Sequence, residues 1–246
     1  MVKKINNQFI EKLEWDSSFF KINIAILNQN YLNSKIVREL NNFVLKENIT
    51  LVQYLCDCND FNSIILAQLN EFYFTDIRLT YEKDVKGLID TDIPAPYSFN
   101  IADKKHISVL KEISKFLYKD SRYYFDSNFS KTKIDEFYEG WLEKAVLGLF
   151  DDECHCIFFN NSPVGFCTIR YNSLENATIG LFGISEEHQK KGLAKNLLSH
   201  VNNILSDKGI NKISVVTQGR NISAQRAYQK AGFYSKATQL WYHKWI

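Results

Sequence analysis

The apolar run Thr178 to Ile184 is followed by Gln189-Lys190-Lys191-Gly192-Leu193-Ala194, which opens the periodic stretch Leu193 to Leu205. Together they read as a strand, a glycine turn and a helix, and this succession constrains the fold more than any other part of the chain. A glycine at the turn lets the backbone approach a ligand closely. The first N–H groups of the helix have no partner within it and can point at a pyrophosphate. Lys190, Lys191 and Lys195 add positive charge. The spacing Gln-x-x-Gly-x-Ala differs from the dinucleotide Gly-x-Gly-x-x-Gly and from the Walker pattern.

A second block lies about thirty residues on. After the strand-like Lys212 to Thr217 comes Asn221-Ile-Ser-Ala224-Gln-Arg-Ala227-Tyr228-Gln-Lys230-Ala231-Gly232-Phe233. Asn221 suits a helix N-cap, and Gly232 suits the left-handed residue that ends a helix. Ala224, Ala227 and Ala231 make one side of this helix slim, so an extended ligand can lie close against it.

In order and spacing, the two blocks resemble the GCN5-related N-acetyltransferases (the GNAT superfamily). The resemblance implies acetyl-CoA as acyl donor and no metal. It puts the donor's pyrophosphate on Gln189, Lys190, Lys191, Gly192, Leu193, Ala194 and Lys195, with Asn221 and Ala227 also at the donor. Backbone groups of Leu181, Phe182, Gly183 and Ile184 would meet the pantetheine arm and the thioester oxygen, and Gly183 would ease the approach. Tyr228 takes the role of general acid. A phenol of ordinary pKa, about 10, stays protonated at neutral pH and can donate to a departing sulfur.

At 246 residues the chain is one large domain or two small ones, with a sizeable core. A net charge of +2 argues against a dedicated nucleic-acid binder. The 18 Phe and 13 Tyr suit a packed core with aromatic-lined pockets. Polar residues interrupt the N-terminal Met1-Val-Lys-Lys-Ile-Asn-Asn-Gln before an export signal can form, and no stretch approaches the ~20 apolar residues of a membrane span. The expectation is a cytoplasmic protein without membrane insertion. Cys56 with Cys58, and Cys154 with Cys156, are Cys-x-Cys pairs on strand-like segments, which suit buried thiols better than zinc knuckles.

The chain also resembles itself. Thr50 to Cys58, Ser63 to Leu69 and Phe72 to Lys83 read as strand, helix and strand, the order found again over Lys212 to Lys244. Setting Asp60 against Asn221 pairs Gln68 with Gln229, Phe72 with Phe233, Tyr73 with Tyr234, Leu79 with Leu240, Tyr81 with Tyr242 and Lys83 with Lys244, all identical. A duplicated supersecondary unit is expected. The first copy lacks the chemistry: Ala67 stands for Tyr228, and Glu71 for Gly232. Residues 1–98 are therefore expected to be a smaller, degenerate acetyltransferase-like subdomain that walls the acceptor pocket and extends the sheet. Residues 99–246 would form the catalytic domain.

Pro94 and Pro96 mark an extended connection. Ile107, Leu110, Ile113 and Leu117 recur at helical spacing, and a second helix is expected over Ile134 to Leu149. Between them, the aromatic and polar segment from Ser121 to Phe129 offers Arg122, Tyr123 and Asp126 as acceptor-binding residues, or is a surface loop with pinned aromatics. Strands follow over Cys154 to Phe159, Val164 to Tyr171 and Thr178 to Ile184, with a turn at Asn160-Asn161-Ser162-Pro163. The sum is an α/β chain with a mixed, mostly antiparallel sheet, in the order of the GNAT fold. His155, His188, Asp126 and Glu14 are open as general bases, and His188 is expected on the solvent side.

Leu13-Glu14-Trp15-Asp16-Ser17-Ser18-Phe19-Phe20, Phe137-Tyr138-x-x-Trp141, Ile179-Gly180-Leu181, Val216-Thr217-Gln218 and Trp241-Tyr242 bring a closer resemblance, to the dTDP-fucosamine acetyltransferases of enterobacterial common antigen synthesis. It implies acetyl transfer to the amino group of a nucleotide-linked amino-dideoxy sugar for surface polysaccharide. A protein or peptide N-acetyltransferase and a non-catalytic acyl-CoA-binding module stay open, as does a homodimer.

Overall fold

The computed structural model describes residues 9–91 and 93–246. The N-terminal octet, from which the absence of an export signal is read, lies outside the described residues. Strands β1 (Ile10–Lys12), β2 (Ile24–Leu27), β3 (Leu51–Asp57) and β4 (Tyr73–Asp84) alternate with helices α1 (Glu14–Phe20), α2 (Ser34–Lys46) and α3 (Phe61–Leu69). Then come β5 (Tyr97–Ile101), α4 (Ile107–Ser114), α5 (Lys131–Val146), β6 (Glu153–Phe159), β7 (Ser162–Tyr171) and β8 (Asn176–Ile184). The chain closes with α6 (Leu193–Asp207), β9 (Lys212–Gln218), α7 (Ile222–Lys230) and β10 (Tyr234–Trp245).

Contacts divide the chain into two units, Met1–Arg78 with Thr238–Ile246, and Leu79–Ala237. The division differs from the expected one at residue 98. Strand β4 starts in the first unit and ends in the second, and β10 does the reverse. Ladder pairing and side-chain packing, rather than the proline-marked connection, decide which unit a strand segment joins.

In the first unit the strands run β1-β2-β3-β10, with β2 and β3 parallel and β1 and β10 antiparallel to their neighbours. Residues Leu51 to Cys56 of β3 are all buried, as a strand covered on both faces requires. Helix α2 packs Ile36, Leu40 and Val44, spaced at helical steps, into the same core as Val52, Tyr54 and Tyr242. Its start is set by Asn33, whose side chain accepts from the N–H groups of Lys35 and Ile36 at 3.0 and 2.9 Å.

In the second unit the order is β4-β9-β8-β7-β6-β5. Strands β5 to β8 form an antiparallel meander, and β9 joins β8 in parallel. A parallel neighbour needs a crossover, which α6 supplies. Leu193, Leu197, Val201 and Leu205 recur every four residues along α6 and share a core with Ile169, Ile179, Ile213 and Val215. Each such leucine contributes about 1.5–3 kcal/mol by leaving water.

Local differences from expectation have local causes. Helix α5 begins and ends three residues before the expected Ile134 and Leu149, and Gly148 follows it at φ +70°. The β6–β7 turn is Asn160-Asn161 alone, both residues at positive φ (48° and 64°), because a two-residue hairpin turn needs that backbone. Ser162 and Pro163 belong to β7, and Pro163 sits beside an irregularity at Ile157 and Phe158. Cys56 is buried in β3, while Cys58 lies past the strand's end. Cys154 and Cys156 are buried with their sulfurs 3.9 Å apart, and all five thiols are free.

Candidate functional site

Strands β8 and β9 pair only from Asn176 opposite Lys212 to Ile179 opposite Val215, although both run further. Where they part, a cavity of about 580 Å³ opens. Phe182, Gly183 and Ile184 of β8 form one wall, and Gly192, Leu193, Ala194 and Lys195 at the start of α6 form the end. The opposite wall is one face of α7, with Asn221, Ala224, Ala227 and the stripe Ile222, Arg226 and Lys230.

The loop between β8 and α6 is held in shape by its own residues. Lys190 and Gly192 take positive φ (62° and 81°), and a side chain at Gly192 would meet nothing within 4 Å. Gln189 folds back and donates from Nε2 to the carbonyl of Ile184 at 3.0 Å. Within α6 the first backbone bond runs from Asn196 to Gly192, so the preceding N–H groups face the cavity end. With Lys190 and Lys195 in the lining, this end suits a phosphate-bearing ligand. On α7, Asn221 caps the helix by accepting from the Ala224 N–H at 3.0 Å.

Two of the residues expected at the donor do not line the cavity, namely Leu181 and Lys191. Leu181 is buried, and its N–H donates to the Thr168 hydroxyl at 2.7 Å, so that group is not offered to a ligand. At Gly183 the space left by the missing side chain is filled by Leu117, since a Cβ there would stand 2.0 Å from Leu117 Cδ1. Close approach at this glycine is thus made first by the protein itself.

Tyr228 is 4 % exposed and lies among the rings of Phe182, Tyr81 and Phe233, at 5.9, 6.0 and 5.8 Å between centroids. Among the described residues its hydroxyl has no hydrogen-bond partner. Burial, with the Cys167 sulfur nearby, pushes its pKa well above the ordinary tyrosine value. The phenol is therefore a neutral donor at physiological pH, next to the strand that walls the cavity.

The aromatic segment is held by its own side chains. Tyr123 is buried with its ring edge-on to Phe129 and Phe137, and Arg122 lies over that ring at 4.3 Å. Asp126 is buried and accepts from the backbone and side-chain N–H groups of Asn128. None of the three lines the cavity; Phe116, Leu117 and Asp120, just before them, do. Sequence reading missed Phe116 and Asp120 and put Leu117 on a helix, whereas α4 ends at Ser114 and leaves all three in the segment beyond it. It also missed Arg226 and Lys230, whose four-residue step from Ile222 was a readable signal.

Of the residues open as bases, His188 is half-buried and lines the cavity. Its ring packs on Tyr97 and Phe159, and its Nδ1 shares a hydrogen bond with Ser185 Oγ at 3.0 Å. Burial, then Lys191, lower its pKa. His155 is buried against Glu153 Oε2 at 2.8 Å, away from the cavity lining, and Glu14 belongs to the first unit. Tyr118, which sequence reading passed over, stacks on Tyr138 at 4.4 Å, and its buried hydroxyl has no partner among the described residues. Among the described residues there is no cluster of three or more metal-ligating side chains, and no helix is long and apolar enough to cross a membrane.

Residues 115–233, which carry every part of this cavity, match the model of the Acetyltransferase (GNAT) family. Over 165 residues, 65% of this chain and 70% of the relative, the sequence is 23% identical to a dTDP-fucosamine acetyltransferase of Escherichia coli O6:H1. Among solved structures, a GCN5-related N-acetyltransferase from Sphaerobacter thermophilus superposes with a TM-score of 0.67 at 10% identity, covering 96% of this chain and 76% of that one. A tandem GNAT protein from the clavulanic acid biosynthesis pathway superposes with a TM-score of 0.60 at 11% identity, covering 90% and 75%.

Proposed function

Residues 115–233 are a domain of the acetyltransferase (GNAT) family, and from that premise we propose that the chain moves an acetyl group from acetyl-CoA to the amino group of a nucleotide-linked amino-dideoxy sugar, by direct attack in a ternary complex. A dTDP-4-amino-4,6-dideoxyhexose is the preferred acceptor, and surface polysaccharide synthesis in the cytoplasm is the proposed setting. The observation that carries the sugar is the similarity to the dTDP-fucosamine acetyltransferase over 165 residues. The observation that carries the donor is the cavity between β8 and α7, closed at one end by the start of α6.

In this reading Gly192, Leu193, Ala194 and Lys195 bind the donor's pyrophosphate, with Gln189 and Lys190 shaping the turn. Lys191 adds charge from outside the lining. Asn221, Ala227, Arg226 and Lys230 flank the donor from α7, and Phe182 to Ile184 run beside its pantetheine arm. The acceptor's neutral amine attacks the thioester carbon, forming the C–N bond. Backbone N–H groups of β8 stabilise the charge that develops on oxygen. As the C–S bond breaks, the Tyr228 hydroxyl donates to the sulfur, and the proton lost by nitrogen restores the balance. No base is assigned.

Free-thiol release from acetyl-CoA, measured against dTDP- and UDP-linked 4-amino and 3-amino dideoxyhexoses and a mixed peptide pool, tests this reading. Turnover with one amino sugar is expected. Release with peptides alone would move the acceptor to a protein, and CoA binding without turnover on anything would make the chain a binding module.

A further inference from the structure

Strand β8 carries a bulge at the level where it leaves β9. Its antiparallel pairing with β7 runs through Ile169 opposite Ile179 and resumes at Cys167 opposite Phe182, so Thr168 faces two residues, Gly180 and Leu181. The parallel pairing with β9 stops at Ile179. A bulge takes a backbone N–H out of the ladder, and a buried N–H must find another partner. Leu181 finds the Thr168 hydroxyl, at 2.7 Å. That hydroxyl has one hydrogen, and it goes to Asp151 Oδ2 at 2.6 Å.

Asp151 is a carboxylate with a side chain 0% exposed. Its other oxygen, Oδ1, accepts from Arg170 Nη2 at 2.8 Å and Nε at 3.2 Å, which offsets the cost of burying the charge. The carboxylate fits because residue 180 is glycine: a Cβ there would lie 2.3 Å from Asp151 Oδ2. An ionised carboxylate only accepts, so it fixes the direction of the hydroxyl hydrogen and leaves a lone pair of Thr168 for the Leu181 N–H. Donation thus runs from the Leu181 N–H to Thr168 and on to Asp151, where it meets donation from Arg170.

We propose that Asp151 and Thr168 are positioning residues for acyl transfer, which hold the β8 bulge through the Leu181 N–H and so set where Phe182 and Gly183 present their backbone to the thioester. The inference rests on the functional reading above. Neither residue lines the cavity, so both act through β8. Gly180 belongs to the same device, since any side chain there displaces the carboxylate.

The test uses the full chain with Thr168→Val, which keeps the shape and removes the hydroxyl, and Thr168→Ser, which restores it. Thr168→Val is expected to lower kcat by about tenfold or more while KM for acetyl-CoA changes little, as a small misplacement of reacting groups costs rate before it costs binding. Thr168→Ser recovers kcat. Amide exchange at Leu181 should be faster in Thr168→Val than in the wild type, with thermal unfolding confirming that both variants are folded. Unchanged kcat in folded Thr168→Val, a loss of kcat that Thr168→Ser does not restore, or a rise in KM alone overturns the proposal. If the wild type acetylates none of the amines offered, the functional reading fails instead, and Leu181 exchange alone decides whether Thr168 holds the bulge. Unchanged exchange then overturns that as well.

Discussion

The segments β3-α3-β4 and β9-α7-β10 share the bonds that start and end their helices, yet only the second lies at the cavity. At each helix start an Asx side chain accepts from the third residue on, Asp60 from Ser63 and Asn221 from Ala224. At each helix end a residue at positive φ, Glu71 at 64° and Gly232 at 87°, is followed by a phenylalanine that donates back into the last turn. Phe72 bonds the carbonyl of Ala67, and Phe233 that of Tyr228, both at 3.0 Å. Even the lysines match, with Lys244 over the Phe72 ring and Lys83 over the Phe233 ring, both at 5.9 Å.

The side chains on this shared backbone differ in kind. Where α7 presents Ile222, Arg226 and Lys230 to the cavity, α3 carries Phe61, Ile65 and Leu69, all exposed. Where α7 buries Tyr228, α3 buries Ala67. A capped helix between two strands is thus a scaffold that can be copied intact, while the charge at the cavity and the buried tyrosine depend on a few substitutable positions.

The largest effect is expected at the position where the copies differ most in chemistry. Tyr228→Phe keeps the ring in its aromatic setting and should lower kcat by about 10²- to 10⁴-fold with acetyl-CoA affinity nearly unchanged. Equal kcat, with chemistry shown to be rate-limiting, would mean that α7 is no more catalytic than α3. Smaller effects are expected at the helix ends. Gly232→Ala should destabilise by about 1 kcal/mol and Glu71→Gly should stabilise by a similar amount, because only glycine takes positive φ without cost. A side chain at Gly232 would meet only Lys83 at 3.7 Å, so backbone conformation dominates. Thermal midpoints moving in the same direction for both variants would break the equivalence of the two ends.

The smallest effect distinguishes the caps by pH. Hydrogen bonds from the Ser63 hydroxyl and N–H lower the Asp60 pKa below its ordinary 3.8. A depressed carboxylate pKa contributes stability that is present above the unfolded value and lost as pH falls through the folded one. The wild type should therefore lose a stability increment below about pH 4 that Asp60→Asn lacks, as the Asn221 cap already does. Unfolding midpoints of the two proteins that stay parallel from pH 5 to pH 2 would remove Asp60 from the acid response.

Much of the scaffold was legible in the sequence because its signals are local. Leu193 to Leu205 announced α6 by period, Asn221 and Gly232 bracketed α7, and the turn at Asn160-Asn161 marked the first hairpin of the meander. Gln189 to Lys195 stood out as a loop, and the structure puts most of it at the cavity. Boundaries set by distant partners were not legible: nothing near Arg78 or Ala237 says that a strand passes there from one unit to the other. Phe116 and Asp120 escaped notice because a residue in a turn has no periodicity to show which way it faces, and Leu117 kept a helical spacing past the point where α4 ends.

By itself the sequence determined which segments become the main helices and strands, which loop joins a strand to the start of α6, and that one strand-helix-strand pattern occurs twice, since each of these follows from residues a few positions apart. Only the tertiary structure decided that Leu181 gives its N–H to Thr168, that Leu117 fills the space beside Gly183, and that Asp151 fits against Gly180. Those contacts join positions far apart in the chain, and their existence depends on how neighbouring strands are registered and where the sheet bulges. Such packing is a property of the folded ensemble of strands, and no local pattern encodes it.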